Sequence, residues 1–168
     1  GHKEHYLLCD EQSEAPLRVV FGMLAGPKYI RTRILYSLRS YLRKETSVVY
    51  LENAEDEALQ ARVRKYLTNN DEVRGVDFAI EFLKKSEVDI ELKANTGGWK
   101  NLLILKRLWA RFGKPPTDGS TAHRKAPAEW FVTVDDDTSV VPHNLYVHLS
   151  TYYTTMQRRR KCRGWEEY

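Results

Sequence analysis

Three carboxylates stand in a row at Asp135, Asp136 and Asp137, directly after the apolar run "WFVTV". Like charges side by side repel, and Asp is a poor strand former, so a positive partner is expected there. That partner is a metal ion, an anchoring Arg or Lys, or bulk water. The flanking segments "EWFVTV" and "TSVVP" are apolar, which pinches the turn between buried stretches. Carboxylates held near a core need compensation. Asp135 and Asp137 form an Asp-x-Asp pair, and two such hard oxygen donors suit Mn²⁺ or Mg²⁺. A cation held this way can bridge a diphosphate and help a leaving group depart.

Two other chemistries fit less well. An EF-hand loop starting at Asp135 needs Gly at its sixth position and Glu at its twelfth, where this chain has Val140 and Tyr146. An aspartyl phosphohydrolase also follows an apolar strand with two Asp one residue apart. It needs a later Lys and a second acidic cluster, and the acids after Asp137 are Glu166 and Glu167 at the tail.

The elements around the triplet must position it. "RVVFGMLA" (Arg18 to Ala25), closed by Gly26-Pro27, reads as a buried strand. "KYIRTRILYSLRSYLRK" places Ile30, Ile34, Leu38 and Tyr41 or Leu42 at helical spacing. "SVVYLEN" (Ser47 to Asn53) predicts a second strand, and "EDEALQARVRKYL" a second helix with acids in its first turn. The segment from Val73 to Gly98 is mixed; Val88 to Leu92 alternates and reads as an edge strand. "WKNLLILKRLWARFG" predicts a helix with Leu102, Leu105, Leu108 or Trp109, and Phe112 on one face. "EWFVTV" is a strand, and "PHNLYVHLSTYYTTM" a helix opened by Pro142. Alternation of this kind predicts an α/β fold with a largely parallel sheet. Ligands of such sheets bind at the carboxyl ends of strands, where the Asp triplet falls.

Composition sets bounds. A hydrophobic share of 42% in 168 residues supports one packed domain and argues against disorder. Much of the +4 net charge is local, from Arg158, Arg159, Arg160, Lys161 and Arg163. Such a cluster can contact nucleic acid or a membrane surface. A solvated tail or the edge of a missing segment explains it better, and no RNA- or DNA-reading motif accompanies it, so no nucleic acid partner is expected. Cys9 and Cys162 lie at opposite ends, without metal-binding spacing; they pair with each other or each has a partner elsewhere. No apolar stretch within the chain reads as a signal peptide or membrane span. His143 and His148 are five apart on the predicted helix and share no face, and His123 lies in a loop, so all three read as surface histidines.

The segment "EWFVTVDDDTSVVPHNLYVHL" resembles the metal-binding segment of the Fringe-like β-1,3-glycosyltransferases, which include the core 1 galactosyltransferases. "FGMLAGPKYIRTRILYSLRSYL", "SVVYLENAEDEALQ" and "GGWKNLLILKRLW" resemble the family's first strand and helix, second strand, and Lys-bearing helix, in order. The resemblance runs from about Leu17 to Tyr153; the Asp segment is its specific part. It implies a GT-A fold, a Rossmann-type layered arrangement continuing past the C-terminal side, with residues 17–156 as the nucleotide-sugar-binding part. Residues 1–16 would be an N-terminal extension and 157–168 a basic tail. It implies inverting transfer of a hexose (galactose, GlcNAc or glucose) from a UDP-sugar to a glycan or glycoprotein, with Mn²⁺ (or Mg²⁺). Asp137 would ligate the metal, with Asp135 beside it, and Asp135 and Asp136 would reach its waters or the sugar and ribose hydroxyls. Arg33 would approach the diphosphate or uracil, unless it is a solvated helix residue. Lys100 would approach the donor sugar or phosphates, unless it is a first-turn surface Lys. Asn53 stands where the family often has an Asp that contacts the base. The family's general base, and a His that completes its metal site, come well after the Asp motif and are expected beyond these residues. A non-catalytic nucleotide-sugar-binding module is the alternative. The resemblance also implies the Golgi lumen and a membrane anchor upstream of Gly1.

Overall fold

The computed structural model describes residues 17–52, 55–84, 98–113 and 127–162; for 98, 99 and 153–162 it describes the backbone alone. Asn53, His123, Cys9, and the Val88 to Leu92 stretch lie outside the described residues. The chain divides into two compact units. One is Arg18–Val140, and the other contains the helix Pro142–Cys162.

The first unit is built on four parallel strands: β1 (Val19–Ala25), β2 (Thr46–Leu51), β3 (Phe78–Phe82) and β4 (Trp130–Asp135). Their order across the sheet is β3-β2-β1-β4. The α/β layered fold expected from the alternating pattern is therefore present. Strand β1 is apolar on both faces because it lies inside a parallel sheet covered on both sides. Strand β3 falls in the segment whose pattern is mixed; a five-residue stretch with one Glu gives little alternation to read.

Helices flank the sheet: α1 (Leu35–Arg39), α2 (Glu57–Thr68) and α3 (Gly98–Phe112). Asp56 caps α2, accepting a hydrogen bond at 2.8 Å from the Ala58 N–H. Helix α3 packs on β1 and β4. Its Ile104 and Leu108 are fully buried with Val20, Val48 and Tyr50. At Gly22 the helix comes so close that a Cβ would meet Ile104 Cγ2 at 2.7 Å. The Tyr50 ring fills the same layer, and burial pushes its phenol well above its usual range, so it stays neutral.

Two expectations need correction. The apolar face assigned to α3 is rotated: Leu102 and Trp109 are 67% and 54% exposed, whereas Ile104 and Leu108 are buried. This helix carries Leu or Ile at four successive positions, 102 to 105, so periodicity alone allows more than one face. The long helix expected from Lys28 to Lys44 is instead a 3₁₀ turn (Pro27–Tyr29), a π-helical turn (Ile30–Ile34) and the short α1. Pro27 brings no N–H, and Ile30, Thr32 and Ile34 are β-branched. The hydroxyls of Ser37 and Ser40 then bond back to the Arg33 and Tyr36 carbonyls, at 3.0 and 2.6 Å, which weakens helix continuation.

The second unit's helix, α4 (Pro142–Cys162), runs past the expected end at Met156. His143 and His148 are exposed on it, as expected for surface histidines. Among the described residues, no helix is long and apolar enough to cross a membrane.

Candidate nucleotide and metal site

Strand order places a crevice. The chain steps outward from β1 to β2 to β3, then returns across the sheet to β4 on the other side of β1. With right-handed crossovers, the β1–β2 and β3–β4 connections run over opposite faces of the sheet. The carboxyl ends of β1 and β4 therefore flank a topological switch point, where open α/β sheets bind ligands. The register aligns those ends: Leu24 sits beside Asp135, and Ala25 beside Leu51. A cleft of about 610 Å³ opens there, lined by Gly26, Lys28, Tyr29, Glu52 and Asp135 to Asp137.

A tight turn divides the three carboxylates. The Thr138 N–H donates to the Asp135 carbonyl at 3.0 Å, so Asp136 and Asp137 occupy the turn's corners. Asp136 points inward, its side chain only 9% exposed, and accepts a 2.8 Å hydrogen bond from Arg33 Nη1. Asp137 is 66% exposed, with Arg33 Nη1 at 3.6 Å from its carboxylate. Asp135, the last residue of β4, is exposed. One aspartate of the three is thus hydrogen-bonded to Arg33, and the outer two are exposed at the cleft, Asp137 with a longer ion pair to the same arginine.

Arg33 reaches this turn from the π-helical segment, 103 residues away in sequence. The Asp136 hydrogen bond raises its already high basicity, so it remains a cation. Its guanidinium carbon also lies 4.0 Å from the centre of the Tyr29 ring. Tyr41 ties down the other side of the turn, donating to the Thr138 carbonyl at 2.8 Å. Burial raises the Tyr41 phenol, which keeps it a neutral donor.

Lys100 does not stand free in the cleft. It lies in the first turn of α3 and its ammonium is hydrogen-bonded and ion-paired to Glu52 Oε2. Glu52 follows β2, and its N–H is held by the Ala25 carbonyl at 3.1 Å. Sequence reasoning singled out Asn53 and passed over Glu52. An acid at the end of the second strand of an α/β sheet was the available signal. Tyr29, Lys28 and Tyr41 were likewise not singled out.

Compared with known proteins, the chain matches no family model, no curated protein and no solved structure. Among the described residues, no group of three His, Cys, Asp or Glu side chains could hold a metal ion by itself. A cation shared with a diphosphate asks for less, because one or two carboxylates suffice when phosphate oxygens and water fill the other positions. Asp135 and Asp137 are the two exposed carboxylates of the turn.

A larger groove, about 860 Å³, runs beside β3 and the end of α2. Its arginines are engaged: Arg64 with the Ile80 carbonyl, Arg74 with Asp71, and Arg111 with Glu81. It also lies away from the switch point, so the smaller cleft is the better site despite its size.

Arg33→Ala is expected to leave Asp136 without its cation and to loosen the turn. Affinity for a metal–diphosphate ligand should fall by roughly tenfold, the scale of a lost outer-sphere contact. The thermal midpoint should fall slightly and recover when Asp136→Asn is added, because the uncompensated charge is then gone. Calorimetry and melting of the single and double variants would check both; full affinity in Arg33→Ala would remove the anchoring role.

Proposed function

We propose that this unit binds the diphosphate end of a UDP-sugar through a divalent cation, Mn²⁺ or Mg²⁺, and serves hexosyl transfer to a glycan or glycoprotein. The observation that carries this reading is the pair of exposed carboxylates, Asp135 and Asp137, at the mouth of the switch-point cleft. The cleft's carboxylates are Glu52 and Asp135 to Asp137, while Lys28 is its lining cation. A bare diphosphate would be repelled by such a surface, whereas a bridging cation makes the same carboxylates favourable. The sequence resemblance to Fringe-like β-1,3-glycosyltransferases adds the sugar-transfer chemistry and, with it, residence in the Golgi lumen behind an upstream anchor.

In this reading Asp137 and Asp135 would hold the cation, and Arg33 with Asp136 sets the turn that presents them. Lys100 orients Glu52 toward the cleft, where its second oxygen meets ribose or sugar hydroxyls. A cation held there would neutralise the diphosphate as it leaves. In an inverting transfer the acceptor oxygen bonds to the anomeric carbon, the bond to phosphate breaks, and a base takes the acceptor proton. Glu52 and Asp136 are both held by cations, so neither is assigned that base. The resemblance expects that base beyond these residues; without one, the unit would be a module that binds the nucleotide-sugar without turning it over.

Titration of UDP into the purified chain by calorimetry, first with Mn²⁺ and then with EDTA, tests the binding claim. Heat that requires Mn²⁺ is expected, and absence of binding in both conditions would remove the proposal. Release of UDP from a UDP-hexose in the presence of acceptor separates the enzyme from the module.

A further inference from the structure

The cleft contains an aromatic ring that the metal and diphosphate contacts do not use. Tyr29 is half-buried in the wall. It joins the 3₁₀ turn to the π-helical turn, and its N–H is bonded to the Gly26 carbonyl at 3.0 Å. The ring lies against Gly26, where a Cβ would come within 3.6 Å of Tyr29 Cδ2. Arg33, itself held by Asp136, lies 4.0 Å from the ring centre. The ring is therefore placed by backbone, glycine and a pinned guanidinium. A long, solvated side chain is less constrained: Lys28, exposed, has its ammonium 4.7 Å from the same ring centre.

We infer that Tyr29 is the stacking platform for the nucleobase, and that Lys28 gives up its contact with the ring to meet the phosphates when nucleotide binds. This rests on the nucleotide reading above and adds the residue that recognises the base. Three features support it. A nucleobase needs a π-face of fixed orientation, and Tyr29 is the ring that the carboxyl-end cleft presents. The ring is one helical turn from Arg33, hence close to the Asp turn that would hold the diphosphate, as the short span of a nucleotide demands. A lysine over an aromatic ring at an exposed site is held weakly, so a stacking heterocycle can displace it. Base recognition through Tyr29 is selective for an aromatic base over none. It is tolerant among bases, since every base has a π-face.

The test is calorimetric titration of UDP and of inorganic pyrophosphate, each with Mn²⁺, into the unaltered chain, Tyr29→Phe and Tyr29→Leu. Tyr29→Leu should weaken UDP about tenfold, Tyr29→Phe should keep it within about twofold, and pyrophosphate should bind all three alike. Unchanged UDP affinity in Tyr29→Leu would overturn the inference. An equal loss for both ligands would overturn it too, because the ring would then act only by steadying Arg33. If the unaltered chain bound neither ligand, the nucleotide reading would fall, and the inference with it; binding of both with no effect of Tyr29 would remove the inference alone.

Discussion

Replacing Asp137 by alanine is expected to weaken Mn²⁺-dependent UDP binding by more than about 100-fold, since loss of an outer-sphere partner alone costs ~10–100-fold at metal sites. The side chain is 66% exposed and its nearest cation, Arg33, is bonded more closely to Asp136. Its removal should therefore spare the fold, with a change in stability within about 0.5 kcal/mol. Asp137→Asn keeps an oxygen donor but loses the charge, and should fall between the two. The contrast with Asp136 is informative. Asp136 is nearly buried against Arg33, so its loss should act on the turn, lowering stability and affinity together. Calorimetry in Mn²⁺ and in EDTA, beside thermal melting, reads both quantities. An unchanged affinity in Asp137→Ala would sink the metal-site assignment.

Leu108→Ala is expected to cost about 2–5 kcal/mol of stability, the range for truncating a buried leucine. A domain's whole stability is only about 5–15 kcal/mol, so this change alone could bring the unit close to unfolding. Leu108 is fully buried in the layer with Val20, Val48, Tyr50 and Ile104. Gly22 lets the helix approach there, with Leu108 Cδ1 placed 2.9 Å from where a Cβ would stand. Tight packing on the glycine leaves little room for the site to collapse around a cavity, which favours the upper part of the range. Leu102→Ala is the matched control. Leu102 is 67% exposed, so its truncation should stay within about 0.5 kcal/mol. Urea denaturation of the two variants would decide which face of α3 is buried. Equal destabilisation would contradict a helix that buries Leu108 and exposes Leu102.

The pair also marks a limit of pattern reading. Both leucines fit the stripe expected from sequence, yet only one is covered. Helix α3 is apolar at 102, 103, 104, 105, 108 and 109, so several rotations satisfy the same spacing. The chosen one is set by Gly22 and by the side chains of β1 and β2, which lie far away in sequence.

The order of strands and helices was determined locally. Runs such as "VVFGMLA" and "WFVTV" combine β-branched and apolar residues between turn signals, and those preferences need no distant partner. The position of the Asp triplet at a strand's carboxyl end follows from chain order alone. Tertiary structure decided how the triplet is held. Pairing of β1 with β4 brings Asp135 beside Leu24, 111 residues apart by subtraction of their numbers, and no local rule encodes that neighbour. The π-helical turn carries Arg33 to Asp136, splitting three equivalent carboxylates into one hydrogen-bonded and two exposed. The same long-range packing brings Glu52 to Lys100 and exposes Tyr29 in the cleft. Preferences of single residues depend on their nearest backbone, so a sequence carries them openly. Charge pairing and burial depend on which distant segments meet, and that is settled only when the sheet closes.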